Sequence, residues 1–168
     1  MGYNKRKKDQ INALLQAIYE ENSVIMDKYS VAIGEYFKNF KEGSNLVLNF
    51  YDVLSPQDFT VYNATAALIG QIKDSELRKN IVKFYTLVKG FSATVIYTNK
   101  INLKFQDYLS QHPEYTQLNS NSPILKVITT YQNYLNGFMR DLKSQYNEIE
   151  CSSKKLKDSL EVFLVANK

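Results

Sequence analysis

Apolar residues recur at alternating steps of four and three along three long stretches of this chain, a period that helices lying side by side can bury. The clearest run is Leu77, Ile81, Phe84, Val88, Phe91, Val95, then Thr98, Asn102, Phe105 and Leu109, the seam of one long helix. The first stretch, residues 8–41, carries Ile11, Leu15, Ile18, Ile25, Tyr29, Ala32, Tyr36 and Phe40, with Leu14, Met26, Ile33 and Phe37 widening the stripe enough for more than one neighbour. The third carries Ile124, Ile128, Tyr131, Leu135, Phe138, Leu142 and Ile149; Leu156, Leu160 and Phe163 continue it after a one-residue change of phase, with Cys151-Ser152-Ser153 as the place for a break. The spacing predicts an all-α fold, an elongated antiparallel helical bundle of three long helices plus two short ones.

Local signals set the boundaries. Gly43, followed by Ser44 and Asn45, ends the first helix. The dense run from Leu46 to Leu54 lacks strand alternation and reads as a short helix. Ser55-Pro56 starts the next, whose buried side is Phe59, Tyr62, Ala66 and Ile69 and whose end is near Gly70. Asp74 caps the second long helix, Glu76 favours its positive end, and His112-Pro113 stops it near Gln111. A polar loop over 119–122 leads to a second Ser-Pro start at Ser122-Pro123.

At 168 residues the chain is long enough for a single domain with a real core, since a chain of about 150 residues buries roughly two thirds of its unfolded surface. The formal net charge of +4 is concentrated at one end: Lys5, Arg6, Lys7 and Lys8 against Asp9 leave +3 there and +1 for the rest. Residues 1–7 read as a flexible basic tail. Within the body, residues 11–72 hold seven acids and three bases, whereas 73–107 hold seven bases and three acids. An acidic helix beside a basic one accounts for this better than a nucleic-acid face, which needs its basic residues concentrated rather than offset.

Chemistry-bearing motifs are scarce. One cysteine, Cys151, excludes an internal disulfide, and one histidine, His112, sits before a proline in an expected exposed corner. Ser152-Ser153-Lys154-Lys155 matches the S-x-x-K pattern without its companion motifs. No Gly-rich phosphate loop, Glu-x-x-His turn or metal-ligand spacing occurs, so no cofactor is expected. Glu20-Glu21 and Glu148-Glu150 are assigned to solvent-facing sides, and Asn63-Ala64-Thr65 fits the glycosylation pattern inside a helix expected to be buried. The longest uncharged run, residues 59–72, falls short of the eighteen or so apolar residues a membrane span needs. Gly34, Gly90 and Gly137 stand alone within helices, each permitting close backbone approach or merely tolerated at about 1 kcal/mol.

One feature has binding potential. Asn22 in the first long helix, Thr98 and Asn102 in the second and Gln145 in the third occupy seam positions where apolar residues are expected. In antiparallel hairpins Asn22 and the 98–102 stretch fall at similar heights, with Asn133 or Asn136 able to join them. Such a polar layer could hold a small ligand or water, or could fix register, the better attested use.

Two blocks carry a family resemblance. Tyr3-Asn4-Lys5-Arg6-Lys7-Lys8-Asp9 running into residues 14–22 (Leu14-Leu15-Gln16-Ala17-Ile18-Tyr19-Glu20-Glu21-Asn22), and residues 66–78 (Ala66-Ala67-Leu68-Ile69-Gly70-Gln71-Ile72-Lys73-Asp74-Ser75-Glu76-Leu77-Arg78) through Ile81 and Phe84-Tyr85, resemble a group of bacterial single-pass membrane proteins of uncharacterised function. The blocks cover about a third of the chain and contain no residue specific to a chemistry. The group's small-Ser-Gly step has no glycine at Ala67. Arg78 reads as a partner for an acid on the first helix. The resemblance implies a membrane helix ahead of Met1, the basic cluster at the lipid headgroups and a membrane-associated domain on a side left open. The resulting expectation is a non-enzymatic module that binds a protein partner or itself and no nucleic acid; the alternative is a ligand-sensing bundle with a small molecule between helices.

Overall fold

The computed structural model describes residues 2–41 and 59–166. These residues are all-α, with no strand among them. Helix α1 spans Gly2–Tyr29, passes through a π-helical turn, Ser30–Gly34, and continues as α2, Glu35–Asn39. Helix α1 starts six residues before the expected position, so Lys5 to Lys8 form exposed helical turns rather than a tail. Nothing in that stretch breaks a helix, and Lys, Arg and Gln extend one readily once a packed segment has nucleated it.

The π turn has a physical cause. Ile25, Tyr29, Ile33 and Phe37 are all buried and are spaced by four, a step that drifts around an ordinary 3.6-residue helix. One wider turn absorbs the drift and holds all four on one face. Within it Ala32 is exposed, and beyond it Tyr36 and Phe40 are half-buried, so the expected seam shifts by one residue to Ile33 and Phe37.

Helix α3, Thr60–Ile69, ends as expected at Gly70, and the turn is closed by Gln71 N–H donating to Leu68 O at 2.9 Å and Ile72 N–H to Ile69 O at 3.2 Å. Phe59 and Ile69 are buried, while Ala66 and Asn63 are exposed. The expected short helix over 46–54 and the Ser55-Pro56 start lie outside the described residues. Asp74 caps α4, Ser75–Gln111, accepting from Glu76 N–H at 2.9 Å and Leu77 N–H at 3.0 Å. Arg78 turns back rather than reaching an acid on α1: its guanidinium donates to the carbonyls of Ile72 and, at 3.2 Å, Lys73. These are carbonyls that the preceding turn leaves open.

After a 3₁₀ turn at Pro113–Gln117, Ser122 Oγ accepts from Ile124 N–H at 3.3 Å and α5 runs unbroken over Pro123–Ala166. No break occurs at Cys151. Leu142, Tyr146, Ile149, Leu156 and Leu160 are buried with Ser153 among them, so the four-three spacing continues without a change of phase and Ser153 fills one seam position. At about 1.5 Å per residue α4 and α5 are rods of roughly 55 and 66 Å.

The direction of packing follows from the contacts. Asn80 bonds Ser159, Lys83 pairs with Glu148, Tyr97 packs on Phe138 and Phe105 on Tyr131, so α4 and α5 are antiparallel. Tyr19 meets Glu161, Asn22 meets Ser153 and Phe37 meets Tyr146, so α1 and α5 are antiparallel too. Glu21 meets Tyr85 and Tyr29 meets Phe91, so α1 and α4 run parallel, contrary to the expectation that successive long helices alternate. Helix α3 lies against both, its first amides on Glu21 of α1 and Tyr62 stacked on Tyr85 of α4. At the centre Tyr29, Phe37, Phe91 and Tyr146 pack edge-on or tilted with ring centroids 5.6–6.4 Å apart, contacts worth about 0.5–1.5 kcal/mol each beyond burial.

Candidate functional site

The polar residues of the seams do not meet in one layer. Asn22 is fully buried; its amide donates to Ser153 O at 3.3 Å and its carbonyl oxygen accepts from the Ser153 hydroxyl. The pair satisfies itself and fixes the register of α1 on α5. Because Tyr97 packs on Phe138, neighbouring Thr98 lies about fifteen residues of α5 from Ser153, roughly 22 Å. Thr98 donates to Thr94 O at 2.8 Å and is buried, as is Asn102. Asn133 is exposed and Asn136 half-buried. Gln145 lies beside the seam, which Tyr146 occupies, and its Oε1 accepts from Thr94 Oγ1 at 3.4 Å. Next to Thr98, Asn99 is buried with its carbonyl oxygen unpaired, a feature hidden by its place beside the seam rather than on it.

Glu21, expected at the surface, is buried at the heart of a second polar junction. Phe59, the residue before α3, offers no capping side chain. Glu21 supplies the cap from another helix: its carboxylate accepts from Val61 N–H at 2.7 Å, from Tyr62 N–H at 3.2 Å and from the Tyr85 hydroxyl. A carboxylate at a helix N-terminus is stabilised by the open amides and by the dipole. Burial, then the bond to Glu21, pushes the Tyr85 hydroxyl far above its ordinary value. Tyr62 stacks on Tyr85 at 4.1 Å, Lys89 Nζ lies 4.8 Å from the Tyr62 ring centroid, and the same ammonium donates to Asn63 at 2.9 Å. The Glu21 carboxylate and the Tyr85 hydroxyl are used in joining α1, α3 and α4, so the junction is architectural.

An open site lies elsewhere. Beyond the level where α2 ends, α4 and α5 form a cleft of about 550 Å³, within the usual range for small-molecule sites. From α4 it takes Tyr97, Ile101 and Lys104. From α5 it takes Lys126, Val127 and Thr130, then Tyr131, Tyr134 and Phe138. Tyr97, Ile101 and Lys104 share one face of α4 by their spacing, as do Val127, Tyr131, Tyr134 and Phe138 on α5. Sequence reasoning counted Tyr131 and Phe138 as seam and passed over Tyr97 and Tyr134, because a cleft between two helix flanks has no period of its own.

The remaining chemistry-bearing residues stay apart. His112 Nδ1 is 3.6 Å from Glu114 Oε1 at the corner after α4, Cys151 is exposed, and no three of His, Cys, Asp or Glu are grouped to hold a metal among the described residues. No described helix is long and apolar enough to cross a membrane. Comparison with known proteins gives no match to a family model, a curated protein or a solved structure.

Proposed function

We propose that this chain is a non-enzymatic helical interaction module, an elongated bundle that docks a protein partner or a second copy of itself along helix flanks. The observation that carries this reading is a set of solvent-facing apolar side chains at seven-residue spacing. Ile96 and Leu103 on α4 and Val127 and Tyr134 on α5 are all exposed. Seven-residue spacing keeps such side chains on one line of a helix, the arrangement another helix packs against. Light scattering on the eluting full chain tests it: the wild type forms a dimer or larger species, and the Ile96→Glu, Leu103→Glu double variant is monomeric with unchanged helicity. A monomeric wild type that captures no partner overturns the reading.

The resemblance adds a membrane tether, with Lys5, Arg6, Lys7 and Lys8 near the headgroups. Their exposed position on the first turns of α1 supports that placement, since each basic residue near an anionic surface contributes about 1 kcal/mol. Cosedimentation with anionic vesicles, lost when the four are replaced by Glu, is the expected result.

A second reading, a bundle that senses a small molecule between helices, is favoured by the cleft between α4 and α5. Its site is that cleft and not the Asn22, Thr98 and Asn102 positions, because Asn22 is satisfied by Ser153 and sits far from the other two.

A further inference from the structure

The cleft between α4 and α5 is divided by polarity. Tyr97 meets Phe138 at one end, with ring centroids 5.4 Å apart, and Phe105 meets Tyr131 towards the other. In that antiparallel register Lys104, the last lining residue of α4, and Lys126, the first of α5, fall at the same end. Both lysines are exposed, neither is in an ion pair among the described residues, and no carboxylate lines the cleft. Ile101 and Tyr134 lie between Lys104 and the Tyr97–Phe138 pair, and Val127 follows Lys126 on α5.

We propose that this cleft binds a monomeric, single-chain anionic amphiphile, its carboxylate between Lys104 and Lys126 and its tail laid towards Tyr97 and Phe138. This inference rests on the ligand-sensing reading of the same cleft and names the ligand's chemistry. Two cations at one end and an uncharged aromatic pair, Tyr97 and Phe138, at the other match a ligand with its charge at one tip, whereas a planar dianion or a neutral sterol leaves one end unmatched. The cleft also sets the length of the tail. From Tyr97 to Lys104 is about 10 Å of helix, and from Val127 to Phe138 about 16 Å. An extended chain advances about 1.2 Å per bond, so the tail has roughly eight to thirteen bonds.

The test is calorimetric titration of the full chain with dodecanoate, dodecanol and dodecylammonium, each as monomer, beside the Lys104→Glu, Lys126→Glu double variant. The expected result is one-to-one binding of dodecanoate that tightens with tail length, weakens with added salt and falls by about tenfold or more in the variant, whose helicity is unchanged because both positions are exposed. Dodecanol and dodecylammonium bind more weakly than dodecanoate. Equal binding of all three, or a variant that binds dodecanoate as tightly as the wild type, overturns the anionic assignment while leaving the cleft a ligand site. No binding by any of them removes the ligand-sensing reading itself. Vesicles of anionic phospholipid distinguish the membrane as the source of the charge: binding to them that the double variant loses, with monomeric dodecanoate silent, overturns the proposal in favour of a lipid surface.

Discussion

Single side chains decide two of the packing junctions. Glu21 satisfies three donors at once, two amides of α3 and the hydroxyl of Tyr85, so Glu21→Ala leaves one buried and two half-buried donors without an acceptor and should lower stability by about 2–4 kcal/mol. Glu21→Gln, which retains one carbonyl oxygen, should lose less. Hydrogen exchange discriminates this from a general loss of packing: the Val61 and Tyr62 amides should exchange first, ahead of those in α4. Asn99 makes the opposite case. Its buried carbonyl oxygen has no partner, and Asn99→Leu should raise the urea midpoint, at unchanged slope, by the equivalent of about 1 kcal/mol. A fall in midpoint would show that the amide is needed where it stands. Neither role was legible in the sequence: one of two adjacent glutamates cannot be told from the other by composition, and a buried acceptor is recognised only by what fails to reach it.

Among the helices, the signals that the sequence carries plainly are those whose physics is local. Asp74 as cap, Gly70 as terminus, the end of α4 at Gln111 and the Ser122-Pro123 start all depend on backbone groups within a few residues. The π turn and the continuity of α5 depend on what lies opposite. Gly34 shows the difference: a β-carbon there would lie 3.0 Å from the Tyr146 hydroxyl, whereas nothing lies within 4 Å at Gly90 or Gly137. Gly90→Ala and Gly137→Ala should each stabilise by about 0.5–1 kcal/mol through helix propensity. Gly34→Ala must displace a tyrosine held between Phe37 and Phe91, so the same propensity gain should be offset and the variant left unchanged or less stable by about 1 kcal/mol. Chemical denaturation of the three variants side by side is the measurement.

For the whole molecule, the tyrosine-rich interior sets a limit at high pH. Burial pushes Tyr36 up to about 12, burial and then Glu150 push Tyr146 up to about 12, and Tyr85 lies higher still. Each folded value lies above the unfolded one near 10, so the stability these phenols contribute is complete below about pH 10 and is lost as pH rises through the folded values. The thermal midpoint should therefore be flat up to about pH 10 with respect to these groups and decline between pH 10 and 12. A midpoint that holds level from pH 10 to pH 12 would contradict the burial of these rings. The expected pairing of an acidic α1 with a basic α4 is likewise decided at this scale. Glu76–Lys155 at 3.0 Å and Lys83–Glu148 at 3.2 Å instead join α4 to α5, and Glu21 is committed to α3 and Tyr85.

By itself the sequence determined that this protein is all-α, that its helices are long, and where most of them start and stop, because hydrophobic period and capping act through neighbours in the chain. Only the tertiary structure decided that α1 and α4 run parallel, that Asn22 faces Ser153 instead of Asn102, and that a charged end and an aromatic end meet in one cleft. Those are questions of which faces are opposed and at what height. A seam that repeats every seven residues looks the same to every partner it could slide along, so direction and register come from the few side chains, Glu21, Asn22 and Ser153 among them, that fit in one place alone.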